Sequence, residues 1–565
     1  MRHWKQQFVL LMTAVLCISI LAGCSGQNTE FALSVCVGGE PEELDPIYAV
    51  EPEDQTILTH LYENLMRLSV DVSGENTVVY GAAKSAEQEE NSDGTVTWTF
   101  QLRSARWSDG QRVTAGDFVY AWQRLADPAN ASPNTALLSI VAGYDAVQET
   151  GDVTQLQVSA EDDSTLVVVL NGKYDWFLTE VCTATATMPL RQDLLQEDSV
   201  DGEAPQAEPE ESEETDALEG ADWWTDLEAL VTNGPYQVQT YTAGDSLVLK
   251  TNERYHSDGE GPTNLTFRFA DTAEEAQALY DVGTVDFIGT IPEDQLASLA
   301  EEESRNLIPE LGVYSVLFNC QQELLSDQVI RQALGMVIDR NAVAEAAGIA
   351  AQPAEGLIPP GVPESEDTDF RTAWGPQLDN ETEHYEERCQ EAKRLLAEAG
   401  YEDGWGLEEW EYLYVESDRN AAVARVLTQT WLDTLNIRIT ARGVSQEELE
   451  AALKEGTYAL AGVEIRPVGN DAECYLMQWG SNHPLNFSGY VNSAYDTLLS
   501  VIAGAEDETA RMGCLHDAES LLLEDCAVSP LYTDRTAWAL RDNLTGICRD
   551  PRGWFDFTAV APGNS

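Results

Sequence analysis

The sequence predicts an α/β protein built in several lobes. Three observations carry that reading. The chain has 565 residues, well past the ~250–300 at which one hydrophobic core stops growing. Its apolar content of 43% and its 14 tryptophans suit packed interiors. Stretches with helical period alternate with short strand-like runs along most of the chain, the order expected when helices cover sheets.

The first element is a targeting segment. Arg2, His3 and Lys5 make a basic start, Phe8 to Leu21 is almost wholly apolar, and Leu21-Ala22-Gly23-Cys24 closes it. The apolar run is shorter than the ~20 residues a bilayer span needs, and its flanks suit a cleaved export signal over residues 1–23. The Leu-Ala-Gly-Cys ending resembles a lipobox, which makes Cys24 the expected lipidation site and first mature residue. The protein is therefore expected on the extracellular face of a bacterial cytoplasmic membrane, held there by its lipid anchor.

Strand-like Phe31 to Val37 follows a short polar spacer, and Gly38-Gly39-Glu40-Pro41 breaks it. Ile57, Leu58, Leu61, Leu65 and Leu68 recur at helical spacing, which predicts a helix over 57–68. Lys84 to Leu102 reads as a hairpin: Asn91-Ser92-Asp93-Gly94 supplies the turn, and Val96, Trp98, Phe100 and Leu102 alternate with polar residues. Thr114, with Asp117 three residues on, reads as a helix cap. The apolar stripe Phe118, Val119, Trp122 and Leu125 then runs to a stop at Asp127-Pro128. Thr165 to Leu170 is a buried-type strand.

Residues 201–219 differ in kind. They are crowded with Asp and Glu and lack aromatics, as a solvated insertion would. Beyond them, helices are expected over Val329 to Ile338, over Tyr385 to Ala399 with Gly400 as its stop, along the Val423, Val426, Leu427, Trp431 and Leu435 stripe, and around Glu519 to Leu523. Ile437 to Ala441 reads as a strand.

Composition excludes several functions. Thirty-one basic residues against 99 acidic ones leave a formal charge of −68, which opposes nucleic acid and anionic lipid surfaces. The ten cysteines contain no Cys-x-x-Cys, and none of the six histidines lies within four residues of another, so no metal site and no cofactor are expected. Outside the cell, disulfides among Cys36, Cys182, Cys320, Cys389, Cys474, Cys514, Cys526 and Cys548 are permitted, with no pairing deducible. Gly-x-Ser-x-Gly, His-Glu-x-x-His and a phosphate-binding Gly-x-x-x-x-Gly-Lys are absent. A large exported chain without catalytic signature is better read as a capture protein that closes lobes around a solute than as an enzyme.

Specific residues sharpen that expectation. Thr97 to Arg103, Arg106-Trp107-Ser108-Asp109-Gly110 and Val113 to Trp122 resemble the signature of the family 5 extracellular solute-binding proteins, the dipeptide and oligopeptide receptors of ABC importers. Leu44-Asp45-Pro46, Leu61 to Leu65, Asn233-Gly234-Pro235-Tyr236, Val329 to Leu334 and Pro530-Leu531-Tyr532 fit in the same order, so the resemblance covers nearly all of residues 31–560. It implies a bilobal periplasmic-binding-protein type II fold with an additional subdomain. By the same resemblance, lobe I combines 24–70, 189–310 and 532–565, the extra subdomain is 71–188, and lobe II is 311–531. The implied partners are a peptide or other small solute and the permease and ATPase subunits of an ABC importer. The protein itself is expected to be a monomer. A receptor of the same fold for a non-peptide solute, or a peptide sensor without transport, are the alternatives.

The resemblance also nominates contacts. Glu63 and Asn64 match an early cleft segment, Asn134 falls where peptide receptors often have an aromatic, and Tyr532 lies in a returning strand near the hinge. Oligopeptide receptors hold the peptide ammonium with an aspartate in lobe II, and this chain departs from that pattern. Aligned without a gap, Val468 takes the acid's place; shifted by two residues, Arg466 does. Glu464 or Asp471, flanking Ile465 and Arg466, are candidate replacements, while Arg466 offers the opposite polarity and could face a carboxylate.

Overall fold

The computed structural model describes residues 31–70, 76–195, 223–257, 261–301, 307–365, 368–407, 409–505 and 507–563. The signal segment 1–23, the lipidation site Cys24 and the acidic insertion 201–219 lie outside the described residues. Two six-stranded sheets and one four-stranded sheet organise the fold.

The first sheet runs in the order Ala539–Leu540, Phe287–Ile288, Ala32–Cys36, Asn264–Arg268, Ser246–Thr251, Tyr236–Thr242. Ala32–Cys36 is parallel to both of its neighbours. Leu33, Val35 and Cys36 are buried, as expected of a strand covered on both faces.

The second sheet runs Gln352–Pro353, Val528–Ala537, Leu307–Phe318, Leu460–Ile465, Trp410–Val415, Ile439–Val444. Both faces of the sheet are packed. On the twelve-residue strand Leu307–Phe318, Tyr314, Val316 and Phe318 enter one core while Leu311, Val313 and Leu317 enter another. That alternation is the period of two that a pleated strand imposes. Helix Asp418–Leu435 covers the first of these cores. Its Val423, Leu427, Trp431 and Leu435 are buried, and Trp431 Nε1 donates to Leu334 O at 3.0 Å.

Ala83–Glu90, Val96–Leu102, Thr165–Leu170 and Val158–Asp162 form the antiparallel four-stranded sheet. The hairpin turn lies at Asn91–Thr95, where Asn91 N–H donates to Thr95 O at 2.8 Å. Helix Ala115–Ala126 lays Phe118, Trp122 and Leu125 into the core beside this sheet. Its start follows the sequence: the Asp117 carboxylate accepts the Thr114 N–H at 2.8 Å and the Trp107 indole N–H at 3.2 Å.

One expected element differs. The helix predicted over 57–68 is Pro52–Leu61, and Met66–Val70 is a strand. Pro52 sits at its first turn, where a missing N–H costs nothing. At the other end Tyr62 is extended, its N–H bonding Leu58 O at 2.7 Å. Asn64 Oδ1 then takes the Leu65 N–H, and Leu65 O accepts from Gly81. Leu65 and Leu68 keep their burial, Leu65 in the bend before the strand and Leu68 on it, where Met66 and Leu68 share a face. The spacing that mimicked a helix thus belongs to two elements.

Among the described residues all eight cysteines are free, and most are buried. Burial pushes the Cys36 thiol up to about 11 and the Cys526 thiol up to about 12, which keeps both protonated and unreactive.

Removing Trp431 leaves a cavity against strand Trp410–Val415 and an orphaned carbonyl at Leu334. Trp431→Ala is expected to cost about 3–5 kcal/mol, read as a lower denaturant midpoint at unchanged m-value.

Candidate functional site

The backbone passes from the first sheet to the second along Leu307–Phe318 and returns along Val528–Ala537, with Trp538 between that strand and Ala539–Leu540. These two long strands pair antiparallel, but their ladder is interrupted between Pro309↔Arg535 and Val313↔Thr533. Two adjoining cavities flank the interruption. They share Gly312 and Arg466.

The smaller cavity, of about 220 Å³, lies between the two sheets. Val37 and Gly289, the residues just past the parallel strands Ala32–Cys36 and Phe287–Ile288, form one wall with Pro52, Glu53 and Thr56 of helix Pro52–Leu61. Ligand sites in α/β sheets gather at such carboxyl ends of strands. Glu310, Leu311, Gly312, Arg466 and Pro467 form the opposite wall, and Arg549, Arg552 and Phe555 close it.

The larger cavity, of about 480 Å³, is lined by strand residues Tyr314, Gly462, Val463 and Glu464, by Arg419 and Asn420 at the start of helix Asp418–Leu435, and by Tyr532 and Asp534. Tyr314 and Tyr532 stack at 5.2 Å between centroids, and Arg419 lies 4.9 Å over the Tyr532 ring. Arg419 also bonds Asp534 at 2.5 Å. Burial pushes the Tyr314 hydroxyl up to about 12. Two glycines are required here by close approach. A Cβ at Gly462 would overlap the hydroxyls of Tyr412 and Tyr314, and one at Gly312 would overlap the Glu464 carboxylate.

Strand Leu460–Ile465 is half-open. Its residues Leu460 to Ile465 pair with Phe318 to Val313, but on its other side Trp410–Val415 pairs only at Leu460 and Ala461. Val463 and Glu464 therefore present main chain to the larger cavity without a neighbouring strand.

Of the residues nominated from sequence, Glu464, Arg466 and Tyr532 border these cavities. Glu464 and Arg466 pair with each other at 3.0 Å. Ile465 points to the core face of its strand, and Val468 packs half-buried against the core that holds Val35, Phe118 and Trp122. Asp471 caps helix Ala472–Leu476 and pairs with Arg511 at 2.8 Å. Glu63 is buried, accepting from the Tyr255 hydroxyl and bonding His256 Nε2. Asn64 gives its amide to Ala184 O and Thr187 Oγ1. Asn134 bonds Ile47 O and Ala49 O at 3.1 Å, steadying the loop before helix Pro52–Leu61. Glu53, Glu310, Arg419 and Arg549 carried no sequence signal, since nothing local distinguishes them from many other charged residues.

A second contact joins the region after the four-stranded sheet to the second sheet's side of the molecule. Trp176 Nε1 donates to Glu473 Oε2 at 3.2 Å, and Arg511 bonds the same carboxylate at 3.0 Å. Glu180 Oε2 accepts the Asn470 N–H at 3.0 Å. Burial pushes both carboxyls up, Glu473 to about 7 despite Arg511.

Comparison with known proteins places these features in a family. Residues 77–487 match the model described as bacterial extracellular solute-binding proteins, family 5 middle. The dipeptide-binding protein DppE of Bacillus subtilis is 24% identical over 523 residues, 92% of this chain and 89% of that protein. The probable deoxycholate-binding periplasmic protein YgiS of Escherichia coli is 28% identical over 507 residues, 87% of this chain and 86% of that protein. The crystal structure of Haemophilus influenzae OppA in complex with RPPGFSPFR superposes with a TM-score of 0.72 at 24% identity, covering 95% of this chain and 99% of that one. The shared architecture is the type II periplasmic-binding-protein fold with an extra domain.

The Glu473 carboxyl has an ordinary value of 4.5 and is raised by burial to about 7 in the folded protein. The folded state therefore binds the proton more tightly than the unfolded state. Its stabilising share is complete below about pH 4.5 and is lost as pH rises through about 7. Glu473→Gln is expected to flatten the stability–pH curve across that window by up to one proton's slope, measured by denaturant titration at several pH values.

Proposed function

The chain belongs to the bacterial extracellular solute-binding proteins of family 5, and on that premise we propose that it is a lipid-anchored receptor of an ABC importer that captures oligopeptides between its lobes. Membership makes it a binding protein of the ABC-transport type and not an enzyme. The finer reading concerns the anchor at Cys24, the peptide ligand and delivery to a permease powered by cytoplasmic ATPases.

One observation carries the peptide reading. Val463 and Glu464 present unpaired strand backbone to the larger cavity. An extended peptide added there would be held by main-chain hydrogen bonds, a mode that tolerates many side chains. The stacked pair Tyr314 and Tyr532 offers an apolar surface beside that edge. Lobe I, formed from 24–70, 189–310 and 532–565, would close on lobe II, 311–531, about the paired strands Leu307–Phe318 and Val528–Ala537. The remaining 71–188 would form the added subdomain. No helix among the described residues is long and apolar enough to cross a membrane; the proposed attachment is Cys24, on its lipobox-like setting.

A second reading, a receptor for a non-peptide solute, is favoured by the loss of the acid that peptide receptors carry in lobe II, whose place falls to Val468 without a gap or to Arg466 with a two-residue shift. The naming of YgiS as a probable deoxycholate-binding protein points the same way.

The test is a thermal melt of the mature protein against pools of two- to eight-residue peptides and against bile acids. A ligand at 100 times its Kd stabilises the folded state by about 2.7 kcal/mol, so the midpoint is expected to rise by several degrees with peptides. A rise with deoxycholate and none with any peptide pool would establish the second reading instead. Within the peptide reading, Gly462→Ala is expected to weaken binding at least tenfold by calorimetry, because the added methyl would push Tyr412 and Tyr314 into the edge.

A further inference from the structure

Three charged side chains line the smaller cavity without a direct ion pair, although Glu310 and Arg549 lie near enough to feel each other's charge. Glu53, Glu310 and Arg549 all line it, and among the described residues none of them enters an ion pair. The neighbouring cations are already committed, Arg466 to Glu464 at 3.0 Å and Arg552 to Asp550 at 2.7 Å. Arg549 Nε is buried with no hydrogen-bond partner. Burial pushes the Glu53 and Glu310 carboxyls up and the Arg549 guanidinium down, so each charge is held at a cost that an opposite charge would remove. The three come from different walls: Glu53 from helix Pro52–Leu61, Glu310 from the crossing strand, and Arg549 from the short strand Cys548–Arg549. Val37, Pro52, Leu311 and Phe555 add apolar surface between the charges, and Thr56, Thr290 and Thr536 add hydroxyls.

Two carboxylates and one guanidinium, none in a direct ion pair, form a receptor for a group that is itself zwitterionic. We propose that the smaller cavity takes the amino-terminal residue of a peptide that begins with aspartate or glutamate. The α-ammonium sits with Glu53 and Glu310, and the side-chain carboxylate sits on Arg549. The peptide then runs past Gly312 and Arg466 into the larger cavity and along Val463 and Glu464. This assignment rests on the peptide-receptor reading above. It moves the ammonium anchor away from the lobe II position where peptide receptors carry an acid and into the smaller cavity, between its facing walls. It also leaves Glu464 to Arg466 and Asp471 to Arg511, the partners they already have. Charge-assisted bonds of this kind, made in a partly dry chamber, set register as well as affinity.

The experiment is isothermal titration of the purified mature protein with Glu-Ala-Ala, Ala-Ala-Ala, N-acetyl-Glu-Ala-Ala and glutamate alone. The same ligands are then titrated into the E53Q/E310Q double variant and into R549Q. Glu-Ala-Ala is expected to bind at least tenfold tighter than its acetylated form and several-fold tighter than Ala-Ala-Ala. E53Q/E310Q should close the first gap and R549Q the second. The ligand comparisons on the unsubstituted protein stand even where a variant fails to fold. Equal affinity for all three peptides would overturn the inference and leave the receptor reading standing, whereas binding of none of them would overturn both. Glutamate binding as tightly as Glu-Ala-Ala would overturn the placement of the rest of the peptide in the larger cavity.

Discussion

The antiparallel pairing of Leu307–Phe318 with Val528–Ala537 is the constraint on which the rest of the molecule depends. These strands tie the two large sheets together, and their ladder runs over Leu307 to Pro309 and again over Val313 to Leu317, with a one-residue shift between Tyr314 and Ser315. Between those stretches the ladder is interrupted, and both cavities open there. A fully paired crossing would leave no main chain free for a solute. A crossing with no ladder would not hold the two walls in register.

The second sheet repeats the same compromise on a smaller scale. Leu460–Ile465 is fully paired on one side and, on the other, for two residues only. Glycine makes this geometry possible at two points. Gly462 gives room to two tyrosine hydroxyls, and Gly312 gives room to the Glu464 carboxylate. Elsewhere an open strand edge is a hazard for association; here it borders the larger cavity.

Charge is distributed with equal selectivity. The chain carries a formal −68, yet the cations around the cleft are placed one by one against particular partners. Arg419 meets Asp534, Arg466 meets Glu464, Arg511 meets Asp471 and Glu473, and Arg552 meets Asp550. Against that background of direct pairs, Glu53, Glu310 and Arg549 stand out as cavity-lining charges without one. A protein this acidic also presents a surface field that draws cationic groups toward the cleft.

Local chemistry made much of the fold legible in advance. The Asn91-Ser92-Asp93-Gly94 turn, the Thr114–Asp117 cap, the Phe118–Leu125 stripe and the stripe ending at Leu435 each depend on residues a few positions apart, and each stands where the sequence put it. The family signature likewise lies in short runs. The helix over 57–68 failed for the same reason in reverse: Leu65 and Leu68 continued a helical spacing, but their partners were Gly81 and the strand Asn76–Tyr80, which no local pattern announces. The cleft was still less legible. Glu53, Glu310, Arg466 and Arg549 meet only after two sheets have formed and the chain has crossed between them twice. The sequence by itself therefore determined most of the elements and the family, because those are written in neighbouring residues. The tertiary structure alone decided which charges are paired and which face the cavity, because burial and ion pairing depend on distances that sequence separation does not encode.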